Sequence, residues 1–255
     1  MPSWGSSNDP NRFTDWFHRN VKYALIGLLA VAAGAFGLVA LQLGNSTQAT
    51  DAIPWPAATF AVAPDDRPIV AFVGDSYTAG TGSSSQAKTF PALIGAEQGW
   101  EVVNLGRAGT GYVTSGGQAE CGLDYCPTFR EVIPEIVRAN PSIVVVSGGR
   151  NDGAVAGLAE NVMTFYRELR AALPNAKILA TSPTWDDEAE PQSIADARGY
   201  VRSAAEAVGA TFLDIGEPLA NRPDLVGPDG IHPLDAGYAA FATAINNAIA
   251  ATATP

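Results

Sequence analysis

Residues 69–78 read IVAFVGDSYT, five apolar residues followed by a turn of small and polar ones. A short apolar run that ends at a glycine is typical of a β-strand buried on both faces. Similar runs follow at residues 101–105, 142–146, 176–181 and 211–215. Between and after them, helical patterns occupy residues 90–98, 129–139, 158–173, 194–208 and 234–250. Because buried strands that alternate with helices form parallel sheets, the sequence predicts a three-layer α/β/α sandwich with a five-stranded parallel sheet.

Polar residues follow the predicted strands. Residues 74–76 (GDS) follow the first strand, residues 106–109 (GRAG) the second, and residues 148–152 (GGRND) the third. Asp229 and His232 lie between the fifth strand and the last helix. Ligands of parallel α/β sheets bind beyond the carboxyl ends of the strands. We therefore expect these four segments to meet at one edge of the sheet.

Histidine is scarce in this chain, which contains only His18 and His232. Serine hydrolysis needs a base for the hydroxyl proton and a carboxylate that orients the base. His18 precedes a long apolar run and is predicted to lie across a membrane from the rest. This leaves His232 as the candidate base, Asp229 as its orienting carboxylate and Ser76 as the nucleophile. The alternatives are a helix N-cap for Ser76 and a surface position for His232.

Two further segments could stabilise a developing oxyanion. The glycines of residues 104–109 would let backbone N–H groups approach a carbonyl, and the side chain of Asn151 can donate a hydrogen bond. The N–H of Ser76 could contribute as well. The alternatives are ordinary loop glycines and an Asn that caps a helix. Residues 106–111 have the spacing G-x-x-G-x-G, which differs from the dinucleotide-binding G-x-G-x-x-G.

Residues 23–43 contain a single polar side chain, Gln42, and are long enough to cross a bilayer, which takes ~20 apolar residues. Three basic residues precede this run and none follows before Arg67, which places the N-terminus in the cytoplasm. We predict a cytoplasmic tail (1–22), a transmembrane signal anchor (23–43), a linker (44–66) and an extracytoplasmic domain (67–252). The alternatives are a signal peptide cleaved near residues 47–49, which would release a secreted protein, and a buried helix of a soluble protein.

Cysteine and charge set further bounds. Cys121 and Cys126 are the only cysteines, and we expect a disulfide between them outside the cytoplasm but two unrelated thiols within it. With one histidine in the domain, no metal site is expected. The net charge is −11, and residues 1–50 carry +1, so the remaining 205 residues carry −12. Such an acidic domain argues against nucleic acid as a partner.

Four blocks together resemble the GDSL/SGNH hydrolase superfamily of esterases and lipases. They are residues 74–77 (GDSY, with Tyr77 in place of the more usual Leu), Gly109, residues 149–152 (GRND) and residues 229–233 (DGIHP). The resemblance spans roughly residues 68–250. It implies a flavodoxin-like sheet of order 2-1-3-4-5. It also implies Ser76 as nucleophile, His232 as base, and Gly109 and Asn151 as oxyanion donors beside the N–H of Ser76, without a metal or organic cofactor.

These observations predict a membrane-anchored serine esterase that hydrolyses acyl esters of a small molecule, glycan or lipid outside the cell. Because the domain is predicted to face outwards, short-chain O-acyl groups on carbohydrate or envelope components are the favoured substrates. Residues 115–129 and 184–190 are expected to form walls of the pocket. An acyltransferase that uses a sugar hydroxyl as acceptor and a non-catalytic binding module of the same fold are the alternatives. The oligomeric state is left open.

Overall fold

The computed structural model describes residues 66–252. The predicted tail, the membrane helix and all of the linker except Asp66 lie outside the described residues. Among residues 66–252, no helix is both long and apolar enough to cross a bilayer.

Strands and helices alternate along most of the described chain. The strands are β1 (Ile69–Gly74), β2 (Glu101–Asn104), β3 (Gly116–Gly117), β4 (Tyr125–Cys126), β5 (Ile143–Ser147), β6 (Lys177–Thr181) and β7 (Thr211–Leu213). The α-helices are α1 (Ser76–Ala79), α2 (Phe90–Gln98), α3 (Gln118–Cys121), α4 (Ile133–Ala139), α5 (Leu158–Ala172), α6 (Gln192–Ala207) and α7 (Asp235–Thr252). Short 3₁₀ turns occur at Gln86–Lys88, Arg150–Asp152 and Pro223–Leu225.

Five strands form one sheet in the order β2-β1-β5-β6-β7, and all neighbours in it are parallel. Numbered by the strands of this sheet alone, the order is 2-1-3-4-5, as the resemblance implied. β3 and β4 pair separately as a small antiparallel hairpin. The predicted five-stranded parallel sheet is therefore confirmed. The hairpin is an addition, because strands of two residues leave no periodic pattern in a sequence.

Side chains of alternating positions along β1 enter two different cores. Ala71 and Val73 belong to a cluster with the buried residues of α4, α5 and α6, whereas Val70 and Phe72 pack with those of α2 and α7. Successive side chains of a strand point to opposite faces, so a strand that is apolar at every position needs cover on both. The three predicted layers are present for this reason.

Several predicted boundaries differ from the structure by one or two residues, and the start of one helix differs by four. The helix expected over residues 129–139 begins at Ile133, because residues 128–132 form turns, although Phe129 and Val132 are buried in the core. Pro134 lies in the first turn of α4, where its missing N–H leaves no bond unmade. The fifth strand ends at Leu213 and not at Ile215.

Candidate active site

Ser76 is the first residue of α1 and lies directly beyond the carboxyl end of β1. Asp75 caps this short helix, since its Oδ1 accepts a hydrogen bond of 3.0 Å from the N–H of Tyr77. Gly74 allows the turn to approach β5 closely, because a Cβ there would lie 2.0 Å from the carbonyl oxygen of Ser147. Ser76 is only 5% exposed. Its place is thus set by the core of the protein.

Asp75 is 3% exposed and is held away from bulk water. Burial raises the pKa of its carboxyl group to about 6, against the opposing effects of the Tyr77 N–H and the Arg150 guanidinium. The sequence predicted no catalytic role for this residue. The structure gives it the capping role described above, so it holds the turn that carries Ser76.

Asp229 and His232 form a hydrogen-bonded pair. Asp229 Oδ2 lies 2.7 Å from His232 Nδ1, and Asp229 Oδ1 accepts hydrogen bonds of 3.0 Å from the N–H groups of both Ile231 and His232. These bonds, of which that from the His232 side chain has the largest effect, lower the pKa of Asp229 to about 2. The carboxylate therefore stays ionised at neutral pH. With Nδ1 engaged, Nε2 is the ring nitrogen left for a substrate or a nucleophile.

Gly109 occupies a backbone conformation that favours glycine, with φ of +74°. A Cβ at this position would lie 2.7 Å from the carboxyl group of Glu120, so the side chain of Glu120 would have to shift to accommodate it. Asn151 Nδ2 donates a hydrogen bond of 3.0 Å to the carbonyl oxygen of Thr110. A side-chain amide has two N–H groups, so Asn151 keeps one for a ligand.

Asp152 fixes the loop that contains Gly109. This fully buried carboxylate accepts hydrogen bonds of 2.9 to 3.0 Å from the backbone N–H groups of Tyr112, Val113 and Thr114. Sequence reasoning assigned no function to Asp152 by itself. Its only signal was its place in the third block of the resemblance, next to Asn151.

One pocket of about 390 Å³ brings four of the predicted residues together, with Asp229 behind the histidine. Its lining includes Ser76, Gly109, Asn151 and His232. In the described part of the chain, the Ser76 hydroxyl makes no hydrogen bond with the His232 ring. Catalytic hydrogen bonds are often long in ligand-free structures and shorten when substrate binds.

The walls of this pocket come from the two segments that the sequence indicated. Trp185 contributes from the loop after β6, and Ala119 and Glu120 contribute from α3 within the β3–β4 hairpin. Sequence reasoning did not single out Glu120, whose Oε2 accepts a hydrogen bond of 2.7 Å from the Gly117 N–H. A second groove, of about 320 Å³, shares Glu120 with the pocket.

The hairpin is closed by a disulfide between Cys121 and Cys126, which confirms that part of the sequence prediction. Cys121 itself lines the second groove. The bond therefore stabilises a wall of the cleft. Across residues 66–252, no cluster of three or more histidine, cysteine or acidic side chains is arranged to hold a metal ion.

The sheet order is flavodoxin-like, and a serine and a histidine lie in one pocket beyond its strand ends. Solved structures of similar fold include the psychrotrophic esterase EstA from Pseudoalteromonas sp., inhibited by monoethylphosphonate, with a TM-score of 0.57 and 17% identity over 74% of this chain and 100% of that one. Another is the salicylyl-acyltransferase SsfX3 from a tetracycline biosynthetic pathway, with a TM-score of 0.56 and 20% identity over 75% of this chain and 56% of that one. At these identities, the similarity concerns the fold alone.

The sequence itself identifies the family. Residues 72–240 match the GDSL-like lipase/acylhydrolase family. A curated relative, GDSL lipase Rv0518 of Mycobacterium tuberculosis, is 33% identical over 187 residues, which cover 66% of this chain and 76% of the relative. The chain belongs to the GDSL-like lipase/acylhydrolase family, and its general activity is that of an acyl hydrolase.

Proposed function

We propose that the protein is a serine esterase in which Ser76 is the nucleophile, His232 the general base and Asp229 the residue that orients His232. The observation that carries the proposal is the 2.7 Å contact between Asp229 and His232 Nδ1, beside a pocket that also contains Ser76. An ionised carboxylate on Nδ1 fixes the tautomer in which Nε2 can accept a proton. It also stabilises the imidazolium that then forms.

The proposed reaction has two steps. Ser76 Oγ attacks the ester carbonyl while its proton passes to His232, and the imidazolium then protonates the departing alkoxide, so that an alcohol leaves. In the second step, a water molecule gives a proton to His232 and attacks the acyl-enzyme, which releases the carboxylic acid and restores Ser76. Both steps pass through an oxyanion, for which the N–H groups of Ser76 and Gly109 and the free amide N–H of Asn151 are the proposed donors.

For the substrate, we propose short-chain O-acyl groups on a carbohydrate or on another component of the cell envelope. The pocket of about 390 Å³ is bordered by Glu120, Trp185 and Ile231, and the indole of Trp185 offers a flat surface for a sugar ring. The proposed location is the outer face of the cell membrane, with residues 23–43 as the anchor. A secreted form, produced by cleavage after that segment, is the alternative.

The test is hydrolysis of p-nitrophenyl esters from acetyl to palmitoyl by the full chain, with Ser76→Ala assayed alongside. We expect turnover that is fastest for the short esters and is lost in the variant. Turnover that persists in Ser76→Ala would exclude this nucleophile. A preference for palmitoyl esters would exclude the short-chain assignment and indicate a lipid substrate.

An acyltransferase is the second candidate, since the similar fold of SsfX3 belongs to a protein described as a salicylyl-acyltransferase. Both activities would form the same acyl-enzyme and differ only in whether water or an alcohol accepts the acyl group. Product analysis with a sugar present distinguishes them. An esterase releases free acid at an unchanged rate, whereas a transferase forms the acylated sugar.

A further inference from the structure

Tyr77 joins the two catalytic segments through its hydroxyl group. It directly follows Ser76 in α1, and its hydroxyl donates a hydrogen bond of 2.5 Å to the carbonyl oxygen of Ile231, the residue before His232. The ring is 4% exposed and packs edge-on against Phe241 at 5.4 Å. Burial raises the pKa of Tyr77, so the phenol remains protonated and able to donate.

Arg150 occupies the acceptor side of the same hydroxyl. Its Nη1 donates a hydrogen bond to Tyr77 Oη, and its guanidinium group lies 4.3 Å from the ring centroid of Trp185. Nη2 forms an ion pair of 3.1 Å with Asp186, and the side chains of both residues are over 90% buried. A buried ion pair that is also hydrogen-bonded holds its members in one geometry. The hydroxyl of Tyr77 is thus fixed from both sides.

The loop of His232 has few other hydrogen bonds to the helix of Ser76. Asp229 binds the N–H groups of Ile231 and His232 and the ring of His232, so these bonds stay within the loop. The carbonyl oxygen of His232 accepts a hydrogen bond from the Gly227 N–H, and the Leu234 N–H donates one to the carbonyl oxygen of Leu225, within the same connection to α7. Among the described hydrogen bonds, the one from Tyr77 is the direct link between this loop and the helix of Ser76.

We propose that Tyr77 is a positioning residue, which together with Arg150 and Asp186 sets the place of His232 relative to Ser76. The inference rests on the proposed function, in which these two residues exchange a proton. A base that is displaced by ~1 Å can lose ~10²-fold in rate, whereas the affinity of the pocket for substrate need not change. Tyr77 would therefore affect kcat and not KM.

The test uses the full chain and compares Tyr77→Phe with Tyr166→Phe as the matched control. Both changes remove one buried, hydrogen-bonded hydroxyl, but that of Tyr166 pairs with Tyr112 in the core on the other face of the sheet. We expect Tyr77→Phe to lower kcat between ~10- and ~10²-fold with little change in KM. Tyr166→Phe should leave kcat near that of the wild type. Equal losses of kcat in both variants would show a general loss of packing and overturn the proposal.

A second readout does not depend on turnover. The chain contains two histidines, so the ¹⁵N imidazole resonances of His232 can be assigned with His232→Asn. We expect them to shift or broaden in Tyr77→Phe and to stay unchanged in Tyr166→Phe. Unchanged resonances in Tyr77→Phe would overturn the proposal. If the wild type hydrolyses no ester, the proposed function fails, and these resonances alone decide whether Tyr77 positions the histidine.

Asp186→Asn provides a variant that leaves Tyr77 intact, in case Tyr77→Phe does not fold. It weakens the ion pair with Arg150, and we expect a smaller loss of kcat in the same direction. In the double variant, the fold loss of kcat should be smaller than the product of the losses in Tyr77→Phe and Asp186→Asn, because both changes act through Arg150. Fully independent effects would contradict a connected set of residues.

Discussion

Ser76 and His232 come from regions that differ greatly in burial. Asp75 and Ser76 are 3% and 5% exposed at the end of a central strand, whereas the side chain of Asp229 is 49% exposed in a loop. The pKa values of the two carboxyl groups shift in opposite directions. Burial raises the pKa of Asp75 to about 6, and hydrogen bonds lower that of Asp229 to about 2. The nucleophile is thus held by the core, and the base mainly by local hydrogen bonds.

The largest expected effect is that of His232→Ala, which removes the general base. We expect the rate of ester hydrolysis to fall by ~10⁴-fold or more, as for other enzymes in which Ser and His act as a unit. Ser76→Ala should cost about as much, and the double variant little more. Steady-state assays of the three proteins test this. A double variant with the product of the two single losses would show that the residues act independently.

Asp229→Asn should have the next largest effect, because the amide cannot stabilise an imidazolium. We expect kcat to fall by between ~10² and ~10⁴-fold with only a modest loss of stability, since the side chain is half exposed. Circular dichroism melts, recorded with the kinetic assays, separate activity from folding. A large loss of stability with unchanged kcat would mean that Asp229 serves the loop and not the base.

Gly109→Ala tests the region of the oxyanion donor. The positive φ and the contact with Glu120 should cost roughly 1–3 kcal/mol of stability and also reduce kcat. Gly117→Ala, in the hairpin that also carries Glu120, is the matched control, because its φ is −116° and a Cβ there would meet nothing within 4 Å. Denaturant unfolding and kcat are measured for both. Equal stability of the two variants would contradict the described strain.

Asp75→Asn should remove the pH dependence of stability that Asp75 contributes on the buried side of the site. The folded protein binds the Asp75 proton more tightly than the unfolded chain does, so its contribution to stability is present below pH ~4 and is lost as the pH rises through about 6. As the pH rises from 4 to 7, we expect the free energy of unfolding of the variant to increase relative to that of the wild type by on the order of 2 kcal/mol.

Asp229 provides the opposite case for that experiment. Its pKa lies below the ordinary value of 3.8, so its contribution is present above that pH and is lost as the pH falls through about 2. Asp229→Asn should therefore be less stable than the wild type above pH ~4. Denaturant midpoints recorded from pH 2 to pH 8 show both trends. If stability changed with pH in the same way in both variants, the described difference between the two regions would be wrong.

The sequence predicted the sheet well, because β1, β5 and β6 are apolar runs with few polar interruptions. The candidate site residues were inferred from the scarcity of histidine and from their positions after strands, and Ser76, Gly109, Asn151 and His232 line one pocket. The sequence could not predict the β3–β4 hairpin, which has two residues in each strand. Nor could it predict the contact between Tyr77 and Ile231, which lie 154 positions apart and meet only in the folded chain.

Covalent labelling of the full chain with a fluorophosphonate, followed by peptide mass spectrometry, tests the central claim most directly. This reagent phosphonylates serines that an adjacent base activates. We predict one adduct, on Ser76, whose formation is strongly slowed in His232→Ala and absent in Ser76→Ala. An adduct on another residue, or equal labelling of Ser76 without His232, would contradict the assignment of Ser76 and His232 as nucleophile and base.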